Sequence, residues 1–100
     1  MRSARFVPAA RREFLAEIVY YNQEQPGLGA RFTAAVEEAA ARALAFPLAG
    51  APAAGNTRRV LLQGFPFSIV YRDEGSGIVI FALAHQSRRP DYWAARVQDR

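Results

Sequence analysis

One stretch limits what this chain can fold into: Val79-Ile80-Phe81-Ala82-Leu83-Ala84-His85-Gln86-Ser87-Arg88-Arg89-Pro90-Asp91-Tyr92-Trp93. With Ile78 before it, the run to Ala84 is apolar at every position. It is far shorter than the ~20 residues needed to span a bilayer. A short run that is apolar on both faces is expected to be a central strand, covered on both sides. The run then delivers the only His, two adjacent Arg, a Pro, a Tyr and the only Trp. Loops that follow a rigid strand are where functional groups gather. Residues 85–93 are therefore expected at the rim of any site.

The rest of the chain arranges itself around that strand. Arg5-Phe6-Val7, closed by Pro8, reads as a first strand. From Ala9 the period becomes helical: Ala10, Phe14, Ile18 and Tyr21 share one stripe, predicting a helix to about Gln23. Gln25-Pro26-Gly27 breaks it. Leu28, Phe32, Val36, Ala39, Ala43 and Leu44 mark a second helix, roughly Leu28 to Phe46, with Glu38 and Arg42 in the favourable i,i+4 order. Two helices joined by a short turn form an antiparallel hairpin.

Pro47 to Asn56, rich in Pro, Gly and Ala, reads as a surface loop without a regular element. The period then becomes two. Thr57 to Gln63 is a strand with Val60 and Leu62 on one face and Arg59 and Leu61 on the other. Gly64 turns the chain. Phe65 to Arg72 is the next strand, with Phe67, Ile69 and Tyr71 opposite Ser68, Val70 and Arg72. Asp73-Glu74-Gly75-Ser76-Gly77 is a hairpin turn into the central strand. Pro90 is expected to open a short last helix, Asp91 to Gln98, and Tyr92, Trp93 and Val97 to cover the sheet. The expected fold is α+β, in the order β-α-α-β-β-β and a short C-terminal helix. It has an N-terminal strand and an antiparallel helical hairpin on one face of a small antiparallel sheet. Residues 1–100 form one domain of common size.

Composition removes several classes of function. There is no Cys, so neither a disulfide framework nor a thiolate metal site, which fits the cytoplasm. No signal peptide is visible after Met1-Arg2-Ser3-Ala4-Arg5. One His and no Cys argue against zinc, and no cofactor is expected. Gly27-Leu28-Gly29 lacks the preceding strand and third Gly of a phosphate loop. Ser68 and Ser87 have no visible triad partners. The formal charge is +4, and all 13 basic residues are Arg. GC-rich coding accounts for much of that bias. The net charge still implies an acidic partner, nucleic acid or protein.

Arg58, Arg59, Arg72, Arg88 and Arg89 cluster near strand ends and are the expected binding set for a phosphate backbone or an acidic peptide. His85 is either a general base near neutral pH or a structural His at the strand end. Tyr92 is either a proton donor or a stacking surface, and Trp93 is expected to pack.

The ordered pattern is similar to a known family. It comprises Phe6, Ala10 and Glu13-Phe14; Tyr20-Tyr21; Pro26 to Gly29 before Arg31-Phe32; Pro47; Arg58-Arg59; Phe65-Pro66-Phe67-Ser68-Ile69-Val70-Tyr71-Arg72; and His85 to Arg96. Together these resemble the RelE/ParE toxins of bacterial type II toxin–antitoxin modules, over nearly the whole chain. The resemblance implies growth inhibition and plasmid stabilisation. It also implies an antitoxin whose C-terminal segment covers the basic groove, and a toxin–antitoxin heterotetramer as one assembly. RelE-like members cleave mRNA in the ribosomal A site without a metal, and that mechanism would make His85, Arg89 and Tyr92 catalytic. ParE-like members share the fold and poison DNA gyrase. Leu61 and Ser68 stand at strand positions where RelE-like nucleases carry Lys or Arg, so the resemblance puts gyrase inhibition ahead of ribosome-dependent cleavage. An inactive toxin-fold binding protein is the third reading.

Overall fold

The computed structural model describes residues 2–98. Strand β1 (Ser3–Phe6) leads into helices α1 (Pro8–Glu24) and α2 (Leu28–Ala45). Next come β2 (Ala51–Ala53), a single 3-10 turn (Ala54–Asn56), β3 (Thr57–Leu61), β4 (Phe67–Asp73), β5 (Gly77–His85) and the short helix α3 (Ala94–Gln98). The five strands lie in the order β1-β5-β4-β3-β2. β2 to β5 pair antiparallel, and β1 joins parallel to β5. β5 is an interior strand between β1 and β4, as its two apolar faces require, although the middle place of the five belongs to β4.

The sheet has a core on each side. Towards α1 and α2, Phe67, Ile69, Tyr71, Ile78, Ile80 and Leu83 pack with Phe32, Val36, Ala39 and Ala43 of α2 and Ala10 of α1. Away from the helices, Val70, Val79, Phe81 and Ala82 pack with Trp93 and Val97 of the C-terminal segment. The abundant Ala of α2 lets the helix lie close to the strands, and the Glu38–Arg42 pair forms on its outer side.

β5 changes phase part-way. Val70 pairs with Ala82 but the next residue, Tyr71, pairs with Ile80, so the register skips Phe81. One extra residue is a β-bulge, and it inverts every side chain beyond it. Phe81 and Ala82 consequently share the second core, Leu83 returns to the helical side, and the His85 ring meets Phe67 edge-on at 4.9 Å.

Two expectations fail locally. The segment expected to be a plain loop contains β2, whose Ala51, Pro52 and Ala53 pair with Arg59, Arg58 and Thr57. Pro52 is tolerated because β2 is an edge strand with a free side for a residue that cannot donate. The last helix starts at Ala94 rather than Asp91. Asp91 adopts φ 64°, a left-handed turn that Asp accepts and a helix start does not. That turn brings Trp93 under the sheet.

At the start of β5, a Cβ on Gly77 would lie 1.9 Å from the carbonyl oxygen of Ser3. Gly77→Ala must therefore push β1 off the sheet. The expected loss is about 3 kcal/mol, read as a shifted urea midpoint. A change below about 0.5 kcal/mol would contradict this close approach.

Candidate functional site: a basic groove and the ion pair behind it

β3 and β5 finish, and β4 begins, at the same end of the sheet. A groove of about 660 Å³ opens there. Its floor carries Val60, Leu61, Ser68 and Ala84, one wall is the 85–93 segment, and the other is Arg42, Phe46 and residues 49–51. The sequence-expected residues His85, Arg59, Arg88, Arg89 and Tyr92 all line it. Arg58 and Arg72 do not. They border a separate hollow of about 350 Å³ with Pro47, Leu48 and Tyr71. Strand alternation explains Arg58, which lies on the face opposite Arg59 and donates to the Gly50 carbonyl at 2.9 Å. Arg72 is paired with Glu74 at 2.9 Å and lies over the Phe81 ring.

The groove cations differ in their commitments. Arg42, which the sequence places in an i,i+4 pair with Glu38 but not among the groove cations, makes that pair and also donates to the Leu61 carbonyl at 3.0 Å, on β3 beyond the reach of β2. The Arg88 guanidinium lies 3.8 Å from the centre of the Tyr92 ring. Arg59 and Arg89 are exposed, and neither makes an ion pair or side-chain hydrogen bond within the described chain. Two uncommitted guanidiniums above an apolar floor suit an acidic group carried on an apolar segment.

His85 Nδ1 accepts from the Ser87 backbone N–H at 2.9 Å and lies 2.7 Å from Ser87 Oγ. A backbone N–H can only donate, so the proton of the neutral ring sits on Nε2. Tyr92 is held from behind. Its hydroxyl donates to Glu13 Oε2 at 2.7 Å. Burial first, and then the Glu13 carboxylate, push the Tyr92 phenol well above its ordinary range, so it stays protonated and cannot serve as a base.

Glu13 is the residue that sequence reasoning missed. Its two oxygens also receive Arg96 Nη1 at 2.9 Å and Nη2 at 3.0 Å. That fork-to-fork pairing holds the Arg96 guanidinium above its ordinary range. The pair stands where a strand would. β1 last bonds β5 through Val7 N–H to the Ile80 carbonyl, and beyond it no strand among the described residues pairs with that edge of β5. There the Phe81 carbonyl accepts from Arg96 at 2.9 Å, and the Leu83 N–H donates to Glu13 at 3.1 Å. An i,i+3 or i,i+4 pattern within one helix could not have shown this pair, because its members lie 83 residues apart.

Titration offers a test. Tyr21, Tyr71 and Tyr92 all have phenols raised, chiefly by burial. A raised group contributes stability that is complete below the unfolded value near 10 and is lost as pH rises through the folded value. Phenolate absorbance is therefore expected to lag behind model tyrosine above pH ~10, with Tyr92 ionising only as the fold opens. Four independent phenols titrating together near pH ~10 would contradict this.

Among the described residues no group of three or more His, Cys, Asp or Glu is placed to hold a metal ion, and no helix is long and apolar enough to cross a membrane. No curated protein is similar enough in sequence to match. The fold is similar to a solved chain described as "Chromosomal ParDE TA system from P. aeruginosa". The TM-score is 0.71 at 20% identity, covering 85% of this chain and 96% of that one. Residues 4–90 match the family model described as the ParE toxin of the type II toxin–antitoxin system parDE. That span runs from β1 through Arg88 and Arg89, and on its strength the chain belongs to the ParE toxin family.

Proposed function

We propose that the chain is the toxin of a toxin–antitoxin pair, that its target is DNA gyrase, and that Arg59 and Arg89 make the contact. The observation that carries the proposal is the state of the groove. Among the described residues Arg59 and Arg89 make no ion pair or side-chain hydrogen bond, and they line the groove with Val60, Leu61 and Ala84; Leu61 and Ser68 stand where the resemblance to RelE-like nucleases would put further cations. The Tyr92 hydroxyl is turned to Glu13, to which it donates, and its raised phenol stays protonated. That arrangement favours binding over proton transfer. Membership of a toxin–antitoxin family implies an antitoxin as partner. In this proposal its segment is acidic and apolar and occupies the same groove, so neutralisation is competition.

The test is a supercoiling reaction with purified gyrase, relaxed plasmid and ATP. The protein is expected to block supercoiling. Arg59→Ala with Arg89→Ala is expected to raise the half-inhibitory concentration by about tenfold or more, and to relieve growth arrest at equal protein level. Undisturbed supercoiling at saturating protein would sink the proposal. A second reading, ribosome-dependent mRNA cleavage, is favoured by His85, Arg89 and Tyr92 lining one groove. It requires cuts within translated codons in a cell-free translation reaction, abolished by His85→Ala. Gyrase inhibition requires His85→Ala to have little effect. An inactive binding protein would leave both reactions and growth untouched.

A further inference from the structure

α1 carries its charges against its own dipole. A helix N-terminus favours acidic side chains and a C-terminus basic ones. α1 has no acidic residue in its first turn and no basic residue in its last. Arg11 and Arg12 stand near its start and Glu24 ends it. All three are exposed, and none makes an ion pair or side-chain hydrogen bond within the described chain. The same solvent side exposes large apolar residues: Leu15 is 49% accessible, Val19 56% and Tyr20 50%, with Ala16 beside them. Arg12, Ala16, Val19 and Gln23 follow the four-three-four spacing of a helix-pairing seam, and Leu15 and Tyr20 flank it.

We infer that this face of α1 binds a second copy of the chain, helix against antiparallel helix about a two-fold axis. In that arrangement Ala16 faces Val19 of the other copy, a small residue opposite a branched one. Arg12 faces Gln23 of the other copy. The basic start of each α1 lies beside the carbonyl end and Glu24 of the other, which reverses the electrostatic penalty that each helix carries alone. The two-fold repeats every contact, so the assembly closes as a dimer. A parallel pairing would set Arg12 against Arg12 and leave both helix ends uncompensated. The seam is one helix of 17 residues, about 25 Å long, so the contact is small and the dimer weak. None of the seam residues lines the groove, which stays open in the dimer.

The experiment is sedimentation velocity of the purified full chain from about 5 to 500 µM, where an interface this small is expected to dissociate with a constant on the order of 10–100 µM. The mass is expected to rise from 11.1 kDa towards twice that value. Val19→Asp is expected to hold the monomer across the range with an unchanged far-ultraviolet spectrum. If that variant loses helix, Leu15→Lys tests the same face. The chain has no Cys, which allows a test of register. An oxidised mixture of Ala16→Cys and Val19→Cys chains should cross-link faster than either alone. A monomer at every concentration would overturn the inference. So would a dimer indifferent to both surface variants, or self-links forming faster than the mixed link.

Discussion

Trp93→Ala is expected to cost about 3–5 kcal/mol, the largest loss from any single truncation in the chain. Trp93 is 1% accessible and is the largest of the fully buried side chains. It is the main filler beneath Val70, Val79, Phe81 and Ala82, on the sheet face that the helical hairpin does not reach. A buried indole removes roughly 200 Å² from water, worth about 5 kcal/mol at 25 cal/mol per Å². Val97, at the far end of a five-residue helix, cannot refill that volume. A domain of this size holds roughly 5–15 kcal/mol in total, so the variant is expected to be marginal, with a urea midpoint shifted in proportion. A loss below about 1 kcal/mol would mean that the second core is not closed by this residue. The groove should suffer as well, because Tyr92, Asp91 and Pro90 are positioned by the residue that follows them.

Glu13→Ala is expected to cost about 2–4 kcal/mol, although Glu13 lies on a helix surface in sequence terms. Its side chain is 18% accessible and that of Arg96 is 24%, so the pair is shielded well beyond an ordinary surface bridge. Removing the carboxylate takes the acceptor from the Leu83 N–H and leaves the Arg96 guanidinium only the Phe81 carbonyl and the Tyr92 hydroxyl only the Leu83 carbonyl at 3.4 Å. For about 100 residues, each kcal/mol is worth roughly 4–8 °C, so a Tm drop of about 10–20 °C is the measurement. Glu13→Gln keeps an acceptor oxygen while losing the charge, and is expected to fall between wild type and Ala. A Tm within about 2 °C of wild type for the Ala variant would show that the edge of β5 is satisfied by other means. The inhibition proposed above should weaken with it, since Tyr92 and the Arg88 that lies on it lose an anchor.

The α+β plan was legible because the chain's periods are clean. Ile78 to Ala84 has no polar face and must be interior, and the α2 stripe from Phe32 to Ala43 has one inward side. β2 was not legible, since Ala51-Pro52-Ala53 has neither alternation nor strand propensity and is fixed only by pairing with Arg58 and Arg59. The bulge at Phe81 was equally hidden, because in a run apolar on both faces a change of phase leaves no mark in the hydrophobic pattern. The groove residues from 85 to 92 were readable from their place after the strand. The separation of Arg58 from Arg59 was readable from alternation, and grouping the cations by their place near strand ends overrode it. Glu13 and Arg96 could not be read, because a charged residue on an amphipathic helix signals solvent until tertiary structure supplies a strand edge for it to bond.

The pairing of β1 with β5 sets an order of events during synthesis. Ser3 lies opposite Gly77, so the first strand made waits for the last before it has a partner. At about 5–20 residues per second that wait is roughly 4–15 s. The helical hairpin has only local contacts and is complete in sequence by Ala45. The groove wall from His85 to Trp93 comes from the final stretch, and Arg96, which holds Tyr92 through Glu13, comes later still. A growing chain therefore carries a helical pair and an unpaired first strand, but no groove. Whatever the groove binds can meet only finished molecules, and any message truncated before the codon for Gly77 yields a fragment without the groove.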